Sequence, residues 1–153
     1  ERAAIMNAPL GTALAVEETA MSSPPEPKTA VVRNAAAVDP KEVKAGTGTR
    51  VQVLLGPEDG APHFAMRRFT MGVGGGMPRH TNTVEHEQFV LKGRARIGVG
   101  DRVYDVGPND VLYIPAGAPH FYEVVEAPFE FLCMVPNGPD RIEILEGGKA
   151  PSR

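Results

Sequence analysis

Residues 107–120 read Gly107-Pro108-Asn109-Asp110-Val111-Leu112-Tyr113-Ile114-Pro115-Ala116-Gly117-Ala118-Pro119-His120. A Gly-Pro-Asn-Asp turn opens a short apolar run, a second turn built on Pro and Gly closes it, and a histidine begins the next run. Turn chemistry on both sides of so short a run marks a β-strand. The same punctuation recurs from Val51 onward. It predicts strands at 51–55, 64–71, 87–91, 95–100, 102–106, 110–114, 120–125 and 129–135, each carrying β-branched or aromatic residues. Gly100-Asp101 between two of them suits a two-residue hairpin turn. Strands at a spacing of about ten residues, with no amphipathic helix between them, indicate an all-β sandwich, jelly roll or small barrel. A small barrel can hold one ligand in its mouth.

The composition agrees. The 153 residues suit one domain, and 42% hydrophobic residues suffice for a core. The 17 glycines and 15 prolines favour tight turns over long helices. A net charge of -3 gives no electrostatic basis for binding nucleic acid or an anionic membrane. No apolar run approaches the roughly 18 residues of a membrane span. The single cysteine, Cys133, excludes an intrachain disulfide and a cysteine-built zinc site. Residues 3–16 are mildly apolar but lack a basic leader, so cytoplasmic residence is expected unless an export signal was removed upstream of Glu1. Residues 1–30, with Pro24, Pro25 and Pro27, are expected to form an extended N-terminal arm, either a solvated tail or a segment laid across a neighbouring subunit. Residues 31–145 would form the barrel and 146–153 a C-terminal tail.

The chain has four histidines, His63, His80, His86 and His120. His63 follows a Gly-Ala-Pro turn and is expected on an exposed loop. His80 and His86 are expected on a loop and the strand it enters, and His120 at the start of a neighbouring strand. A jelly roll can gather three such imidazoles in its mouth, a donor set suited to Zn, Cu, Ni or Fe and less strongly to Mn. Asn82 either ligates through its amide oxygen or leaves a position open. Three neutral imidazoles leave a divalent charge uncompensated, which favours an enolate, a carboxylate or another anionic oxygen ligand. Strand alternation places Gln88 with His86, Glu85 and Glu87 on the opposite face, and Tyr122 with His120. Tyr122 would offer its phenol to the pocket or simply pack with a satisfied hydroxyl. Phe129, Phe131, Cys133 and Val135 share one face of the last strand, with Cys133 expected as a small buried apolar residue.

Two segments resemble the paired motifs of the cupin superfamily. The first, Gly-x5-His-x-His-x3/4-Glu-x6-Gly, places Gly74, His80, Asn82, His86 and Gly93 on its fixed positions, with Asn82 on the second histidine and His86 on the glutamate. The second, Gly-x5-Pro-x-Gly-x2-His-x3-Asn, matches at Pro115, Gly117 and His120, whereas Asn109 stands at the first glycine and Val124 at the asparagine. The chain is similar also to small single-domain cupins that bind manganese or another transition metal through four histidines, with Asn82 replacing one. The resemblance implies a jelly-roll barrel and one divalent metal ion (Mn, Fe, Cu, Ni or Zn) held by His80, His86 and His120, with or without Asn82. It also implies a pocket lined by Phe131 and Cys133. Arg67 matches an arginine able to hold an anionic substrate, although strand parity alone does not choose between Arg67 and Arg68. The implied activity is that of a dioxygenase cleaving a C–C or C=C bond of a small molecule with dioxygen. The alternatives are a metal-assisted isomerase or lyase on a small carbonyl compound or sugar acid, and a non-catalytic ligand-binding barrel. Arg67 and Tyr122 are the candidate catalytic side chains, and a homodimer paired through its sheets is expected.

Overall fold

The structure, a computed structural model, describes residues 29–146. The expected arm (1–30) and C-terminal tail (146–153) therefore lie almost wholly outside the described residues. Within them the chain forms β1 (Lys41–Glu42), β2 (Thr47–Leu55), β3 (Phe64–Asn82), β4 (His86–Val99), β5 (Arg102–Val106), β6 (Val111–Ile114), β7 (His120–Pro136) and β8 (Ile142–Ile144), with two short 3-10 turns at Ala35–Ala37 and Pro57–Asp59. Every pairing is antiparallel, in the order β1-β2-β3-β7-β4-β5, with β6 on β4 and β8 on β3. The result is the expected all-β jelly-roll barrel. Among the described residues no helix is long and apolar enough to cross a membrane.

Three expected boundaries are corrected. The strands at 87–91 and 95–100 are one strand, as are those at 120–125 and 129–135, and the strand begun at 64 runs on to Asn82. Glycine and proline at these points bend or bulge the strand without ending it. The β3 register shifts between Met71 and Gly76, and the β4 register shifts on either side of Lys92 and again after Arg94. Gly93 has φ of 74°, and a Cβ there would lie 2.3 Å from the Pro128 carbonyl oxygen, so only glycine lets β4 pass so close to β7. His80 consequently stands in β3, not in a loop. Two short strands, β1 and β8, carry too little apolar alternation to be seen in the sequence.

The Gly100-Asp101 hairpin is as expected: Val99 pairs with Arg102 and Gly100 takes φ of 59°. Asn109 has φ of 73°, and among the described residues it is the one non-glycine with positive φ. Asparagine tolerates the left-handed region better than most side chains, so it can stand where the motif usually has glycine.

The core is built mainly from inward residues of the three long strands, with Ile114 added from β6 and Val106 from β5. Met71, Val90, Ile97, Ile114, Phe129 and Phe131 are fully buried. Phe131 is stacked between Phe69 (centroids 5.1 Å apart, 6° between planes) and Tyr122 (5.5 Å, 3°). These three rings form one wall of an internal cavity.

Candidate functional site

Cross-strand register assembles the site. His80 of β3 lies opposite His120 of β7, and His86 opens β4 after the turn that follows Asn82. The same registers place Arg67 of β3 and Gln88 of β4 on either side of Cys133 in β7. A cavity of about 250 Å³ is lined by His80, Asn82, His86, His120, Arg67, Gln88, Tyr122, Phe131 and Cys133. Phe69, Met71, Met77, Ile142 and three valines complete its lining. Phe69 and Met71 could have been found by alternation from Arg67. Ile142 had no signal, because it arrives with β8.

The imidazoles crowd together: ring centroids are 4.1 Å apart for His80 and His120 and 5.4 Å for His86 and His120. The Nδ1 atoms of His80 and His120 each lie 2.8 Å from a backbone carbonyl oxygen, of Pro78 and Ala118. A carbonyl only accepts, so in each neutral ring Nδ1 carries the proton and Nε2 keeps its lone pair. The buried Nε2 atoms of His86 and His120 and the buried Oδ1 of Asn82 have no hydrogen-bond partner. Buried polar atoms are nearly always paired, so unpartnered nitrogen and oxygen atoms sharing a cavity, with the His120 Nε2 fixed as a lone-pair donor, suit an electrophile. Among the described residues, no three His, Cys, Asp or Glu side chains form a ready-made metal cage. The fit to a cation rests on the orphaned donors and the fixed tautomers.

Burial holds His86 down to about 3, with the Arg67 charge adding to it. Burial likewise holds His120 down to about 4 against the raising effect of its bond to Ala118, and it lowers His80. Neutral rings are ready ligands at neutral pH. As pH falls through the ordinary value of 6.5, the unfolded chain takes up protons that the folded chain refuses. The metal-free protein is therefore expected to lose stability on acidification from about pH 6.5 toward 4, and to gain none from these rings above that window. Urea midpoints at pH 7.5 and pH 5 measure this; equal midpoints would show that the rings are not buried neutral.

At the other end of the cavity, Arg67 Nη2 donates to Cys133 Sγ at 3.1 Å, and its guanidinium carbon lies 5.2 Å from the centroid of Phe69. Arg68 points outward and pairs with Glu130. Cys133 is buried but not a simple apolar filler, because Gln88 Nε2 also donates to it at 3.7 Å. That correction follows from register, which one strand's alternation cannot reveal. Burial raises the Cys133 thiol, against the opposing pull of Arg67, so it is no ready nucleophile. Gln88 Nε2 donates to the Tyr122 hydroxyl at 2.6 Å, and Gln88 Oε1 and Arg67 Nε are both buried without a hydrogen-bond partner. Burial pushes the Tyr122 phenol well up, so it stays protonated. Glu85 and Glu87 do not line the cavity, and His63 is exposed.

The comparisons with known proteins agree with this architecture. The cupin domain profile matches residues 67–135. A cupin 2 domain-containing protein from Halorhodospira halophila is 32% identical, with a TM-score of 0.59 over 63% of this chain and 69% of that one. The polyketide cyclase RemF from Streptomyces resistomycificus is 27% identical, with a TM-score of 0.70 over 78% of this chain and 89% of that one. A cupin-2 domain from Rhodospirillum rubrum is 27% identical, with a TM-score of 0.65 over 79% and 83%. No curated protein matches.

Proposed function

The chain belongs to the cupin family, and from that premise we propose that it is a metal-dependent enzyme, an oxidoreductase of the dioxygenase type acting on a small anionic substrate. One observation carries this reading: unpartnered Nε2 atoms of His86 and His120 share a cavity with Arg67. His80, His86, His120 and Asn82 would hold one divalent cation. When bound, it supplies Lewis-acid polarisation of a substrate oxygen and, if redox-active, electrons for dioxygen chemistry.

The protein's own part is binding and orientation. Arg67 holds the anionic group, with its buried Nε free to donate. Gln88 Oε1 accepts from a substrate hydroxyl or amine. The Phe69–Phe131–Tyr122 stack offers a planar apolar wall that suits a conjugated substrate and excludes water. Tyr122 keeps its proton and serves as a donor, not a base. A cavity of about 250 Å³ lies below the roughly 300 Å³ at which drug-sized pockets begin, so the substrate is small.

The likeness to a polyketide cyclase supports a second reading, in which the cation acts only as a Lewis acid in an isomerisation, elimination or ring closure. Oxygen-electrode assays on small enolisable carbonyl acids, with protein loaded with Fe, Mn or Zn, separate the two. Uptake with Fe or Mn but not Zn supports the dioxygenase. Identical product with Zn under nitrogen supports the Lewis acid. No turnover with any of the three contradicts an enzyme acting on this substrate class.

The outer sheet face carries exposed Phe89, Leu91, Val111 and Tyr113. Register joins Val111, Phe89, Leu132 and Arg68 in one row across β6, β4, β7 and β3. Because Arg68 is neutralised by Glu130, an identical copy can face it without charge repulsion, and this face is proposed as the seat of a homodimer. Light scattering is expected to give twice the chain mass, and the monomer mass after Phe89→Glu; a monomeric parent protein would contradict it.

A further inference from the structure

We propose that Asp140 is a positioning residue that locks the Asn82 amide with its oxygen toward the three imidazoles, making that oxygen the fourth donor for a divalent cation. The inference rests on the metal reading above and extends it to a residue outside both sequence motifs.

Along the chain Asp140 is only part of a turn, Asn137-Gly138-Pro139-Asp140. The fold brings this turn back over the end of β3, where Asn82 pairs with Ile142 of β8. Asp140 Oδ2 accepts from Asn82 Nδ2 at 2.6 Å. Its other oxygen accepts from the Thr83 backbone N–H at 3.0 Å and lies 3.2 Å from the Thr83 hydroxyl. That hydroxyl also lies 3.3 Å from the Pro139 carbonyl and accepts from the Arg141 N–H at 2.9 Å. The carboxylate is thus held on both oxygens.

This geometry decides the amide's orientation chemically. A carboxylate only accepts, so the –NH₂ of Asn82 must face it and the carbonyl oxygen must face away. Asn82 is 4% exposed, it lines the cavity of the three histidines, and its Oδ1 has no partner. A buried amide oxygen held in place by a charge-assisted hydrogen bond, beside unpartnered imidazole nitrogens, is a preorganised ligand.

The test is Co²⁺ binding to metal-free protein, read by calorimetry and by visible absorption, for the parent, Asp140→Asn, Asn82→Ala and the double variant. Asp140→Asn is expected to weaken binding about 10- to 100-fold and change the absorption spectrum, because an amide at 140 no longer dictates which way Asn82 faces. Asn82→Ala should weaken binding at least as much, and adding Asp140→Asn to it should cost little more. Unchanged affinity in Asp140→Asn would overturn the proposal. So would an equal loss with and without Asn82, which marks a general charge effect. If Asp140→Asn does not fold, Thr83→Val, which removes the hydroxyl contact to the carboxylate while keeping the backbone N–H bond and the charge, should give a smaller loss in the same direction, and no loss would count against the proposal. Co²⁺ binding untouched by His120→Ala would instead defeat the metal reading itself, whatever Asp140 does.

Discussion

His120→Ala is expected to weaken divalent metal binding by about 100-fold or more, beyond the losses typical of residues that merely support a ligand. His120 stands between the other two imidazoles, in ring contact with each. Its Nδ1 is committed to the Ala118 carbonyl, so its lone pair on Nε2 is fixed in direction and otherwise unused. Removing it leaves two histidines and an amide oxygen, too few neutral donors to compete with hydrated cations in solution. Calorimetric titration of parent and variant with Ni²⁺ measures the difference. Equal affinities would mean that any bound metal sits elsewhere. A melting temperature of the metal-free variant close to the parent's would show that the loss is not one of folding.

Phe131→Ala is expected to destabilise the protein by about 3–5 kcal/mol. Phe131 is 2% exposed, sandwiched between Phe69 and Tyr122 and tilted against Phe129 at 5.3 Å. Truncation removes both stacking partners' contacts at the centre of the barrel, where neighbouring β-strands cannot collapse into the gap without breaking register. For a domain of this size that corresponds to a fall in melting temperature on the order of 10 °C. Calorimetry of the metal-free protein reads it directly. A loss below about 1 kcal/mol would show that the ring wall is not packed as described.

Much of this was legible in the residues, for physical reasons that differ from case to case. The fold was legible because turn chemistry repeats: Asn109 sits at a left-handed corner, and Gly100-Asp101 joins two strands directly. The lengths of the strands were not. A glycine that ends a strand and one that lets a strand bend past its neighbour look alike in sequence, and only the approach of Pro128 to Gly93 distinguishes them. Of the site, alternation within β4 and β7 already grouped His86 with Gln88 and Phe131 with Cys133. Which residues meet across strands depends on register, so the Arg67–Cys133–Gln88 row could not be read, nor the choice of Arg67 over Arg68. Asp140 was invisible for a stronger reason: its partner lies 58 residues away and only the return of the chain through β8 joins them.

The most direct test of the metal centre is elemental analysis of protein purified without a histidine tag, beside His86→Ala prepared in the same way. The expected result is about one equivalent of a divalent transition metal per chain in the parent and essentially none in the variant. A parent protein that holds no metal even after reconstitution, or a variant that holds as much as the parent, would contradict the metal centre.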